Sequence, residues 1–287
     1  MVNKTSSASD SRVAIRQYYE QNTGRFLSFG RQRRTRTIHR AVWAEGVSRT
    51  DEALNHTNLL IHQQLAELAQ ANPSWAIRTA DLGCGVGGSL FYLARCMPVP
   101  FWGVGLTISP QQAQMAQQHA AQLGLQERCA FIEADFQHPP LVSDLESAFS
   151  IEAFAHSPDQ AEYLRAAARL LRSGGRLILC DDFLTDYGDE DNDWLRAFRS
   201  GWQVSGLSTT ERVSETAVSL GLDLRLDTDL TPYLRLSAIP ELLAIAIVGS
   251  GKVIKHPYWQ SISGGIALQQ CLKQGLVSYR FLVFEKD

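Results

Sequence analysis

Eleven residues, Thr79-Ala-Asp-Leu-Gly83-Cys-Gly85-Val-Gly87-Gly88-Ser89, stand between a β-rich run and a helical run that begins at Leu90. Glycines packed this densely let the backbone turn sharply and come close to a ligand, and they aim helix N-terminal N–H groups at its negative end. The junction therefore predicts an α/β unit holding a nucleotide-like compound where a strand passes into a helix.

The rest of the chain extends that pattern. β-rich runs at 77–81, 101–106, 130–133, 148–151 and 176–180 alternate with helical stretches, which predicts a parallel sheet with helices on both faces. Ser109-Pro110 supplies an N-cap and first-turn proline for a helix over 111–122 that ends at Gly124. Ser157-Pro158 starts the next helix, and Ser173-Gly174-Gly175 turns the chain into the strand at Arg176. From Val13 to about Ala69 the apolar spacing is helical, with no strand-like alternation. Beyond Asp182, an acidic stretch over 186–193 precedes helical segments from Trp194 and from Thr209 to Leu220. A weak strand at 222–226 and a closing strand at 279–284 flank an apolar, glycine-bearing segment, 240–275, that reads as a cover.

Composition removes several classes. The 287 residues carry 27 Lys+Arg against 30 Asp+Glu, a net charge of −3, so the strong basic excess of a nucleic-acid or anionic-membrane binder is missing. A hydrophobic share of 45% predicts a folded chain rather than a disordered one. The longest apolar run, Leu242 to Val248, falls far short of the roughly 20 residues of a membrane helix. Residues 1–12 lack the apolar core of a secretory signal and read as a flexible tail. Five cysteines without a C-x-x-C pair suit a reduced, cytoplasmic setting.

Gly83, Gly85 and Gly88 also satisfy the G-x-G-x-x-G of dinucleotide folds. Such a site normally adds an acid about 20 positions on to hold a ribose hydroxyl, where this chain has Thr107. A nicotinamide-dependent oxidoreductase is thus the weaker alternative. Asp81-Leu-Gly83-Cys-Gly85-Val-Gly87 resembles the first motif of class I S-adenosylmethionine-dependent methyltransferases, over about residues 60 to 185. The resemblance implies a Rossmann-like, seven-stranded, mostly parallel α/β sheet with a helical cap, and S-adenosylmethionine as cofactor. It also implies that Asp81, Gly83, Gly85 and Gly87 wrap the cofactor.

Gly105-Leu-Thr107-Ile108-Ser-Pro-Gln-Gln112 departs from the acid that usually ends the second strand. It resembles the branch of gamma-tocopherol methyltransferases, geranyl diphosphate C-methyltransferases and cyclopropane fatty acid synthases. That resemblance gives Thr107, Ile108 and Gln112 the ribose, and Asp135 and Phe136 the adenine. Tyr18 and Tyr19 match a helix that folds over the cofactor in relatives.

Methyl transfer is an in-line displacement, so alignment and exclusion of water dominate. Acid–base groups belong just beyond the fourth strand, at Glu152 and His156. Glu152 follows an apolar strand, so burial is expected to raise its pKa toward that of a base. The resemblance makes it a cation stabiliser or base. Arg31, Arg33, Arg34, Arg36 and Arg40 form a basic cluster able to bind a substrate phosphate or carboxylate. The acidic run 189–193 has no metal-site spacing, and no metal is expected.

The expected organisation is a tail over 1–12, a helical cap over 13–60, a cofactor-binding core over 61–186, core end and cap insertion over 187–275, and a closing strand over 276–287. Trp43, Phe198, Trp202, Tyr233, Tyr258 and Trp259 suggest a hydrophobic small-molecule acceptor. Carbon methylation of a prenyl or aromatic unit stands ahead of nitrogen or oxygen methylation of an amine, alkaloid or phenol. A binding protein that has lost catalysis is a further alternative.

Overall fold

The computed structural model describes Arg16, Glu20 and residues 38–189, 191–251, 254 and 256–287. The tail, Tyr18, Tyr19, Arg31, Arg33, Arg34 and Arg36 lie outside them. Seven strands form one sheet: β1 (Ile77–Leu82), β2 (Phe101–Thr107), β3 (Cys129–Glu133), β4 (Leu145–Ile151), β5 (Leu171–Leu184), β6 (Leu222–Asp229) and β7 (Val277–Lys286). Their order is β3-β2-β1-β4-β5-β7-β6. β1 to β5 pair in parallel, while β7 runs antiparallel between β5 and β6.

Helices α1 (Thr50–Ala71), α2 (Gly88–Cys96) and α3 (Pro110–Gln122) cover one face, through Ile61, Leu65, Phe91 and Ala116 against Phe131 and Phe149. α4 (Gln160–Leu170) and α6 (Thr210–Val218) cover the other, where Tyr163, Leu164 and Val213 meet Leu82, Leu106 and Leu282. Alternation along β5 divides the two cores: Ile178 and Cys180 face the first, Leu177, Leu179 and Phe183 the second. Ser109 caps α3 by accepting from the Gln112 N–H at 3.3 Å. For α4 the cap is Asp159, which accepts from the Glu162 N–H at 2.9 Å, rather than Ser157.

A third cluster builds the cap from α5 (Asp193–Trp202), α7 (Glu241–Gly251) and α8 (Pro257–Lys273), around Leu195, Phe198, Ala244 and Leu268. The segment 240–275 is thus mainly two helices. Within the acidic run, Asn192 caps α5 by accepting from Trp194 N–H at 2.8 Å, and Asp193 pairs with Arg196 at 2.8 Å.

The helical reading of the chain before α1 fails over residues 38–49, which are irregular. Their backbone groups bond elsewhere: Val42 N–H to the Ala53 carbonyl at 2.9 Å, Trp43 N–H to the Tyr233 carbonyl at 2.8 Å, and Arg40 N–H to the Glu152 carboxylate at 2.9 Å.

Candidate active site

The parallel strands end together at one edge of the sheet, where open α/β folds gather their ligand sites. Gly83 leaves β1 with a φ of +120°, and a Cβ there would lie 2.4 Å from the Ala153 Cβ. Only glycine lets the loop pass the residue after β4. The N–H groups of Gly83 and Cys84 both donate to the Leu106 carbonyl, at 3.1 and 2.8 Å, which ties the loop to β2.

One cavity of about 250 Å³ opens along this edge. Of the thirteen site residues expected from sequence, ten line it: Asp81, Gly83, Gly85, Thr107, Ile108, Gln112, Asp135, Phe136, Glu152 and His156. Gly87 does not line it; it caps α2 and packs beside Phe131. Tyr18 and Tyr19 fall outside the described residues.

At the loop end, Asp81 is 3% exposed, and burial pushes its carboxyl well above the usual range, with no cation among the described residues to offset it. A buried carboxyl without a counter-cation suits an ammonium group. The Thr107 hydroxyl donates to Gln112 Oε1 at 2.8 Å and accepts from the Ser109 N–H at 3.2 Å, so these side chains fix each other at the mouth of β2. Asp135 Oδ1 accepts from the Gln137 N–H at 2.9 Å, and Phe136 packs edge-on to Tyr163. With the glycine loop, this donor and acceptor set fits the amino-acid, ribose and base portions of S-adenosylmethionine.

At the other end, Glu152 follows β4 in a left-handed conformation, with φ +52°. The Arg40 Nε donates to its Oε1 at 3.1 Å and the Tyr279 hydroxyl to the same oxygen at 2.9 Å. Burial alone would raise the Glu152 carboxyl, but the charges of Arg40 and His39 and the hydrogen bonds from Arg40 outweigh it. Its pKa lies below the ordinary value, opposite to the rise expected from burial. Arg40 is likewise not placed as a phosphate ligand, because its Nη1 and Nη2 donate to Asp182 at 3.0 and 2.9 Å.

His156 donates from Nδ1 to the Gln203 carbonyl at 3.2 Å, and burial lowers its pKa, leaving a neutral ring. Asp181 holds the short turn Phe154–His156 by accepting from the Ala155 N–H at 3.1 Å, and also accepts from the Asp182 N–H at 2.8 Å. Burial and the neighbouring Asp182 push its carboxyl up to about 7. Phe198, Trp202 and Val204 complete the wall from the cap.

His39, Asp181, Asp182 and Tyr279 are site residues that sequence reasoning missed. Asp181-Asp182 directly after the apolar run 177–180 was the available signal, since two carboxyl groups at a buried strand end need partners. Nothing local marks Tyr279 inside its strand.

Residues 74–211 match a family model described as a methyltransferase domain. Sterol 24-C-methyltransferase erg6 of Aspergillus fumigatus is 27% identical over 227 residues, 77% of this chain and 57% of that protein. Methyltransferase GfsG of Streptomyces halstedii is 31% identical over 148 residues, 51% of each chain. The chain thus spans about half the length of these curated relatives. A geranyl diphosphate methyltransferase solved with GPP and sinefungin superposes with a TM-score of 0.73 at 14% identity, covering 96% of this chain and 99% of that one, a likeness of fold.

Proposed function

We propose that the chain, whose residues 74–211 match a methyltransferase domain, is a class I S-adenosylmethionine-dependent methyltransferase that methylates an apolar small molecule at a centre facing Glu152. The nicotinamide alternative lapses with the domain match and with Thr107 at the end of β2.

Asp81, Gly83, Gly85, Thr107, Ile108, Gln112, Asp135 and Phe136 would hold the cofactor. When bound, S-adenosylmethionine supplies a methyl group made electrophilic by its sulfonium. Phe198, Trp202 and Val204 exclude water from the acceptor end. Glu152 offers a carboxylate oxygen there, and the aromatic faces of Phe198 and Trp202 favour a developing cation.

The observation that carries the reading is the Glu152 carboxylate, held by Arg40 and Tyr279 in the wall of this cavity beside Phe198 and Trp202. It supports carbon methylation of a prenyl or aromatic unit, where positive charge builds on the acceptor. The similarity to a sterol C-methyltransferase lends further support. Nitrogen or oxygen methylation is the second reading, favoured by the neutral His156 ring in the same cavity, which can take a proton. A cytoplasmic setting belongs to this reading, supported by five free cysteines. Among the described residues, no helix is long and apolar enough to cross a membrane.

Labelled S-adenosylmethionine supplied with prenyl, indole, amine and phenol panels tests the assignment, and label only on heteroatoms would remove the carbon reading. Glu152→Gln is expected to lower turnover about 100-fold or more, while the Kd for the cofactor changes by less than about threefold. Equal loss of both would make Glu152 structural.

A further inference from the structure

Three donors converge on one oxygen of Glu152. The backbone N–H and Nε of Arg40 and the hydroxyl of Tyr279 all reach Oε1, at 2.9, 3.1 and 2.9 Å. Among the described residues no donor reaches Oε2, and Glu152 lines the cavity. Arg40 is itself immobilised. Its two terminal nitrogens grip Asp182, and its guanidinium lies 3.9 Å over the centre of the Tyr279 ring. Asp182 and Tyr279 face each other in register across β5 and β7, so the sheet sets the position of the whole clamp.

The surrounding titratable groups are His39 beside Arg40, Cys180, Asp181 and Asp182 at the end of β5, Tyr279 on β7, and His156 on the turn after β4. A half-buried carboxylate with a matched guanidinium stays charged and binds protons weakly. It stabilises a cation well and serves poorly as a base.

We propose that Arg40, with Tyr279, is the positioning device that fixes Glu152 as a carboxylate with Oε2 toward the chamber, so that the site selects acceptors neutral before transfer and cationic after it. Alkenes and electron-rich arenes attacked at carbon are such acceptors; phenols and carboxylic acids reacting through oxygen, which must lose a proton, are not. In the transfer, the acceptor's electron pair forms the bond to the methyl carbon while the sulfur–methyl pair returns to sulfur. The positive charge passes to the acceptor, and no proton moves in that step. The inference rests on the methyl-transfer reading above.

The test is a binding measurement. With S-adenosylhomocysteine saturating, benzyltrimethylammonium and its neutral isostere neopentylbenzene are titrated by calorimetry into the wild type, Arg40→Gln, Arg40→Lys, Tyr279→Phe and Glu152→Gln, from about pH 5.5 to about pH 8.5. The wild type and Arg40→Lys are expected to prefer the cation about tenfold or more throughout that range. In Arg40→Gln, burial acts on Glu152 without its guanidinium, the carboxyl takes up a proton, and the preference disappears at the acid end and returns as pH rises. Tyr279→Phe shifts in the same direction by less, and carries the test should Arg40→Gln not fold. Glu152→Gln loses the preference at every pH.

Equal affinity of the wild type for the two probes, or Arg40→Gln and Tyr279→Phe with the wild-type pH profile, would overturn the inference while S-adenosylhomocysteine still binds. Absence of S-adenosylhomocysteine binding would instead defeat the methyl-transfer reading beneath it.

Discussion

Asp181, buried, and Glu152, partly exposed, are carboxyl groups on one cavity with opposite proton affinities, and the difference lies in their partners. Glu152 has a guanidinium; Asp181 has two backbone N–H groups and a neighbouring carboxylate. Asp181 is 3% exposed, and its folded-state pKa of about 7 exceeds the unfolded value. The folded chain thus holds a proton that the unfolded chain has released, and this contribution to stability, complete below about pH 4, is lost as pH rises through about 7. Asp181→Asn is expected to flatten the fall in unfolding free energy between about pH 5 and about pH 8 by about 1–3 kcal/mol relative to the wild type. Urea denaturation at both pH values measures it, and equal slopes in the two proteins would refute it. At this scale the sequence exposed one half of the cavity lining well, because Asp81 to Gly85, Thr107 to Gln112 and Asp135-Phe136 lie in short local stretches at strand ends. The clamp on Glu152 was hidden, since Arg40 and Tyr279 lie 112 and 127 residues away and only the sheet order brings them together.

Among the elements, the five parallel strands were legible because each is a short apolar run closed by turn residues. The helices α7 and α8 were not. Leu242, Leu243 and Ile245 of α7 are exposed while Ala244 and Val248 are buried, so hydropathy does not mark the packed face and no helical period stands out. In α8, Gly264 reads as a break, yet its reason is contact. A Cβ on Gly201 of α5 would lie 2.6 Å from the Gly264 Cα and 2.7 Å from the Gln260 carbonyl oxygen. The two helices touch through their backbones there. Gly201→Ala is therefore expected to force them apart and cost about 1–3 kcal/mol, with weaker acceptor binding because Trp202 and Phe198 ride on α5. Thermal unfolding and probe titration read the two effects, and an unchanged melting temperature would show that the contact can relax.

For the whole molecule, the order β3-β2-β1-β4-β5-β7-β6 places the glycine loop after β1, Thr107 to Gln112 after β2, Asp135 and Phe136 after β3, and Glu152 after β4, along one edge. Since that edge is assembled only in the folded state, a ligand bound there stabilises the fold by mass action. S-adenosylhomocysteine at about 100 times its Kd is expected to add about 2.7 kcal/mol, a rise in Tm of several degrees. NAD is expected to add nothing, and Gly83→Ala, whose new Cβ would collide with Ala153, to abolish the shift. Scanning fluorimetry checks all three, and a shift with NAD alone would reverse the cofactor assignment. The antiparallel insertion of β7 has a consequence for biosynthesis. Until residue 286 has left the ribosome, β5 lacks one neighbour, β6 lacks its partner, and Tyr279 is absent from the Glu152 carboxylate. A chain interrupted between β5 and β7 would hold the parallel strands and the glycine loop without Tyr279 against Glu152, so the clamp on that carboxylate closes only when β7 enters the sheet.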